Sequence, residues 1–141
     1  MKQLIDIAIA TITIAMEAGG ESNLGKRAVA HVLVNRVKAG RSMTDVVLDP
    51  YDFSCWDTKS PTRMNLDKIT DAQWYDCFSI ALGAMLGKEE DPTNGAIYYL
   101  NVGVVMSTAG KLPDWWSIDG DSSTEIEIGH HTFRRPKPRV S

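Results

Sequence analysis

The sequence predicts an α+β domain, mostly α-helical, with a small antiparallel β-sheet. Three observations carry this. Long apolar segments cover residues 4–16, 24–39 and the stretch from Thr70 to Leu86, with helical spacing clearest in the last. Two stretches in the C-terminal half, "AIYYL" and "TEIEIGHHTF", have the composition or alternation of strands. Neither βαβ alternation nor a phosphate-cradling glycine loop is present, which argues against a nucleotide-binding fold. At 141 residues and 43% hydrophobic content the chain suffices for one domain with a real core. We expect that domain to span residues 1–133, with 134–141 as a basic tail.

The elements follow in order. In residues 4–16, Ile5, Ile7 and Ile9 alternate as in a strand, but the run is long for one, so length favours a helix. Ser22 or Asn23 can cap a second helix over 24–39, whose Ala28, Val29, Ala30, Val32, Leu33, Val34 and Val37 are apolar nearly all round, as in a helix buried mid-domain. Gly40 ends it, and "RSMTDVVLDP" offers a short helix stopped by Pro50. "YDFSCWDTKSPTRMN" reads as an aromatic-rich loop. From Thr70 or Asp71, the residues Trp74, Cys77, Phe78, Ala81, Leu82 and Met85 form a face expected in the core, and Gly87 terminates the helix. "DPTNG" supplies a tight turn into "AIYYL", and Ile126 and Ile128 alternate with Glu125 and Glu127 in the second strand.

Charge and cysteine usage exclude several classes. The last eight residues, "RRPKPRVS", hold four of the 15 basic side chains and none of the 18 acids, leaving 11 basic against 18 acidic groups in the body. Nucleic acid is therefore not an expected partner. Cys55 and Cys77 form neither a disulfide scaffold nor a zinc spacing, and are read as buried thiols with one optional bridge. The apolar run from Leu4 to Met16 is too short to span a bilayer and carries Asp6. A secretory peptide would need a more basic start, and cleavage near Ala18 would remove Glu17, so the segment is read as part of the fold. The expectation is synthesis in a bacterial cytoplasm and action at the cell wall, with a transient N-terminal membrane anchor as the weaker alternative.

The segment "AMEAGGES" holds the first candidates for chemistry. Glu17 ends an apolar helix and precedes paired glycines, where apolar walls and the helix's negative end both disfavour ionisation, as a general acid requires. Glu21 reads either as a second carboxylate beside it or as a first-turn residue of the next helix, kept ionised by that helix's positive end. His130 and His131 are adjacent, so on a strand they would point to opposite faces, one lining a cleft and the other solvated. No metal site is expected: neither histidine has a partner at metal spacing, and "DGDSSTE" has Thr124 where a calcium loop needs glycine. Trp56, Trp115, Trp116, Tyr98 and Tyr99 are residues on which sugars stack, or else core.

Taken in order, "EAGGES", "GKRAVAHVLVNRV", "FSCW", "DPTNGAIYY" and "IGHHTF" resemble the SleB/CwlJ family of cell-wall hydrolases, over nearly everything from Ile5 to Phe133. The resemblance implies a compact lysozyme-like domain related to lytic transglycosylases, acting on peptidoglycan glycan strands without a cofactor. It puts the catalytic glutamate on Glu17, with Glu21 as a second candidate. Phe53, Trp56, Thr93, Asn94, Tyr98 and His131 become candidate substrate contacts, with the family's terminal histidine falling on His131 and its "DPTNGA" on Asp91 to Ala96. Arg134 departs from the family's frequent tyrosine. The expected activity is cleavage of the β-1,4 bond between N-acetylmuramic acid and N-acetylglucosamine by transglycosylation, in an endolysin-like monomer. A hydrolytic muramidase with two carboxylates, an amidase and a non-catalytic glycan-binding module are the alternatives. No residue pattern marks a protein inhibitor or a holin-dependent release step.

Overall fold

The computed structural model describes residues 2–48 and 66–139. Among the described residues, six α-helices, α1 (Lys2–Ala18), α2 (Asn23–Lys38), α3 (Met43–Leu48), α4 (Asp71–Met85), α5 (Val102–Ala109) and α6 (Asp114–Ile118), and a 3-10 turn at Leu66–Lys68 accompany three strands, β1 (Tyr98–Leu100), β2 (Gly120–Ile128) and β3 (His131–Pro136). The "YDFSCWDTKSPTRMN" segment, with Phe53, Cys55 and Trp56, lies outside the described residues.

In α1 the length of the run prevails over the Ile alternation. Its first turns are exposed, with Leu4 63% and Ile5 52% accessible, and burial begins at Ala10. The buried face carries Ala10, Ala15 and Ala18, which let neighbouring helices approach closely. Thr11 and Thr13 lie on it too, their hydroxyls donating to the Ile7 and Ile9 carbonyls at 2.7 and 2.8 Å, so neither polar group is left unsatisfied. Helices α2, α3 and α4 all pack on α1. Ser22 caps α2 by accepting from Gly25 N at 3.3 Å. Val29, Val32 and Leu33 are fully buried within it, each contributing about 1.5–3 kcal/mol.

Helix α4 starts with a reciprocal capping box between Thr70 and Gln73 and ends before Gly87, at φ 67°. Its core face is rotated from the expected one. Cys77, Ile80, Ala81 and Ala84 are buried, whereas Phe78 is 43% exposed. The 77/80/81/84 stripe places residue 78 about 100° away, which turns its ring outward.

The sheet has the antiparallel order β1-β3-β2. "TEIEIGHHTF" is not one strand but most of a hairpin. Gly129, at φ 59°, and His130 form a two-residue loop closed by the Ile128–His131 pair, the setting in which glycine at the first loop position is favoured. Strand β3 continues past Phe133 to Pro136, so Arg134 and Arg135 belong to the sheet rather than to a tail. Arg134 lies with its guanidinium carbon 4.3 Å from the centroid of the buried Trp116 ring, donates to Trp116 O at 2.8 Å and pairs with Glu125 at 2.8 Å. Arg134 thus covers Trp116.

Candidate active site

An open cleft of about 510 Å³ is lined by Glu17, Gly20, Glu21, Asn101, Val104, Val105, His130 and His131. Three parts of the chain build it: the α1–α2 junction, the start of α5 and the β2–β3 loop. Glu17 stands in the last turn of α1 and is half-buried. Gly20 has nothing within 4 Å of where a Cβ would stand, so the backbone beside Glu17 faces open space. Asn101 caps α5 by accepting from Val104 N at 3.0 Å, which fixes that rim. Helix α5 buries none of its residues, leaving Val104 42% and Met106 45% exposed.

Glu21 is neither in the first turn of α2 nor open on all sides. It precedes the Ser22 cap, with its N–H donating to Ala18 O at 2.9 Å. Its side chain, 11% exposed, crosses the first turn of α2 and reaches the β2–β3 loop. There Oε1 accepts from His130 N at 3.3 Å and lies 3.1 Å from His130 Nδ1 and 3.5 Å from His131 Nδ1. Two glycines make the passage. A Cβ on Gly25 would stand 2.9 Å from Glu21 Cβ, and one on Gly129 would stand 2.6 Å from Glu21 Oε2. Both histidines approach one carboxylate because His130 lies in the loop and only His131 in the strand, so the alternation expected of two strand residues does not apply.

His131 is the buried member of the pair, its side chain 10% exposed against 79% for His130. Its ring meets Tyr99 edge-on at 5.1 Å and Phe133 at 6.2 Å. Burial lowers its pKa below 6.5, Glu21 opposes that and His130 adds to it, so the net shift favours the neutral imidazole.

The remaining candidates fall elsewhere. Thr93 is 1% exposed, and its hydroxyl donates to Asp91 Oδ1 at 2.6 Å while accepting from Ala96 N at 3.2 Å, so it builds the turn. Asn94 is exposed at φ 55° in the same turn, away from the cleft lining. Asp91 is the centre of that turn. It accepts from Asn35, Thr93 and Gly95, and these bonds outweigh the burial that would raise its pKa and hold it below the usual carboxylate range. Tyr98 lines a separate recess of about 220 Å³ with Arg36, Ala39, Arg41 and Ile97, and its ring lies 5.8 Å from that of Trp115. Tyr99 and Trp116 are core residues. Phe53 and Trp56 lie outside the described residues. The sequence reading did not pick out Asn101, Val104 and Val105; the one signal was an Asn followed by an apolar run.

Among the described residues, no three His, Cys, Asp or Glu side chains are grouped to hold a metal ion. Nor is any described helix long and apolar enough to cross a membrane.

A half-buried glutamate at a helix end thus lines an open cleft in a mostly helical α+β domain with a small antiparallel sheet. The Cell Wall Hydrolase family model matches residues 20–134. The chain belongs to that family. Two solved structures are similar to it. One is the catalytic domain of the germination-specific lytic transglycosylase SleB of Bacillus anthracis, 26% identical with a TM-score of 0.61, covering 92% of this chain and 93% of that one. The other is the catalytic domain of the Bacillus cereus SleB protein, also 26% identical with a TM-score of 0.62, covering 92% and 89%. No curated protein sequence matches. Glu17 sits just ahead of the family match and Glu21 inside it, so the case for Glu17 rests on the resemblance of "EAGGES" and on its place in the cleft.

Proposed function

We propose that the protein cleaves the β-1,4 bond between N-acetylmuramic acid and N-acetylglucosamine in peptidoglycan, as a lytic transglycosylase with Glu17 as its single acid and base. The observation that carries this reading is the place of Glu17, which lines the cleft from the last turn of α1 beside the open backbone of Gly20. Hydrolysis with retention or inversion normally employs two carboxyl groups, about 5–5.5 Å or about 6.5–9.5 Å apart. Transglycosylation needs one, since the substrate provides the nucleophile.

In this reading Glu17 gives its proton to the glycosidic oxygen as the bond from muramic C1 to that oxygen breaks. The muramic 6-hydroxyl then bonds to C1, its proton passes to the Glu17 carboxylate, and a 1,6-anhydro ring closes. No water is consumed and Glu17 ends protonated, ready for the next cycle.

Glu17→Gln is isosteric but cannot supply the proton. It should lower turnover of purified peptidoglycan by at least about 100-fold while leaving the unfolding midpoint and glycan binding unchanged. Activity surviving in that variant contradicts the assignment. Wall that stays intact with the native protein, despite measurable binding, would select the glycan-binding alternative, and release of stem peptides would select an amidase. For its role we propose lysis of the endolysin kind: cells producing the protein lyse when the membrane is permeabilised and remain intact otherwise.

A further inference from the structure

We propose that Glu21 is a positioning residue, the pin by which the α1–α2 junction holds the β2–β3 loop and its two histidines on the wall of the cleft, and that it exchanges no proton with the substrate. The inference rests on the single-acid reading and supplies the second glutamate with a role.

Four observations support it. The acceptor and its donors are 109 residues apart in sequence, so the contact ties two otherwise separate parts of the cleft. Oε1 accepts from the backbone N–H of His130 and lies 3.1 Å from the His130 ring nitrogen, while His131 Nδ1, 3.5 Å away, makes no hydrogen bond to it. Oε2 lies over Gly129, and the methylenes lie over Gly25, at distances where any other residue would collide. A side chain only 11% exposed and packed in this way has little room to move to a substrate atom and back. A loop held by a charge-assisted contact keeps its geometry as glycan enters, and displacement of a positioning group by about 1 Å can cost about 100-fold in rate.

A base or nucleophile differs from a pin in what an amide can replace. Glutamine at position 21 keeps an oxygen to accept from His130 N–H, yet it can neither take a proton nor attack carbon. The test measures kcat and KM on purified peptidoglycan for Glu21→Gln, Glu21→Ala and Glu17→Gln in the full chain, together with NMR spectra of the His130 and His131 imidazoles. The expected result is that Glu21→Gln stays within about tenfold of the native kcat, while Glu21→Ala loses about 100-fold and shifts both imidazole signals. Equal inactivity of the glutamine and alanine variants, with the imidazole signals of the glutamine variant at native positions, would overturn the proposal by showing that the charge itself acts on substrate. Native kcat in Glu21→Ala would overturn it from the other side. Activity surviving in Glu17→Gln would defeat the single-acid reading, whatever the Glu21 variants do.

Discussion

Replacing Gly129 with alanine strains the β2–β3 loop in two separable ways. The backbone there stands at φ 59°, which costs an L-residue about 1 kcal/mol. The new Cβ would also lie 2.6 Å from Glu21 Oε2, below the 3.0 Å that such contacts respect, and 3.3 Å from Glu21 Cδ. Oε2 shares its carboxylate with the Oε1 that accepts from His130 N, so moving it clear of the new Cβ takes Oε1 off that bond. Losing a hydrogen bond to a charged group costs about 1.5–3 kcal/mol, so Gly129→Ala should destabilise by about 3 kcal/mol in all. That is a large share of a stability of about 5–15 kcal/mol, yet it leaves a folded protein to assay. Gly110→Ala is the internal control. It has a similar φ of 73° and nothing within 4 Å of its Cβ, so only the backbone cost of about 1 kcal/mol remains. Urea unfolding of both variants gives the difference. Introducing Gly129→Ala into Glu21→Ala should reduce its cost to that of the control. A Gly129→Ala variant no less stable than Gly110→Ala would refute the reasoning.

Two further predictions concern stability. Burial lowers the pKa of both His31 and His131 below 6.5, so the unfolded chain binds more protons than the folded one as pH falls through about 6.5. The urea midpoint should therefore be higher at about pH 7.5 than at about pH 5.5, and a midpoint that rises on acidification would contradict the burial argument. Asp91→Ala removes the acceptor shared by Asn35, Thr93 and Gly95. It should cost about 3 kcal/mol in the same assay, and a cost under about 1 kcal/mol would show that water replaces the carboxylate without penalty.

The parts of the fold that could be read in the sequence are those whose cause is local. The α2 cap, the α4 capping box and the left-handed glycines after both helices depend on residues within one turn of each other, and they lie where the pattern puts them. The hairpin escaped because Ile126 and Ile128 alternate with Glu125 and Glu127 right up to the loop, and only Gly129 marks the reversal. Phe78 was misplaced because residues 74, 78, 81 and 85 have helical spacing as good as that of the buried 77, 81 and 84 stripe. In the site, Glu17 was legible from an apolar helix running into glycines, and it does line the cleft. The engagement of Glu21 was not, since its partner lies 109 residues away. Gly25, inside the first turn of a helix, and Gly129 are the residues through which that contact could have been suspected. Thr93, by contrast, is held by partners within three residues of it, Asp91 and Ala96.

The single-acid reading meets its most direct test in the products of digestion. Purified peptidoglycan treated with the protein in heavy-oxygen water, then resolved by mass spectrometry, separates the two routes, because only hydrolysis places solvent oxygen on the new muramic end. Ring closure by the substrate's own hydroxyl predicts 1,6-anhydromuramic ends without label. Reducing ends carrying one solvent-derived oxygen would contradict it and call for a second catalytic group.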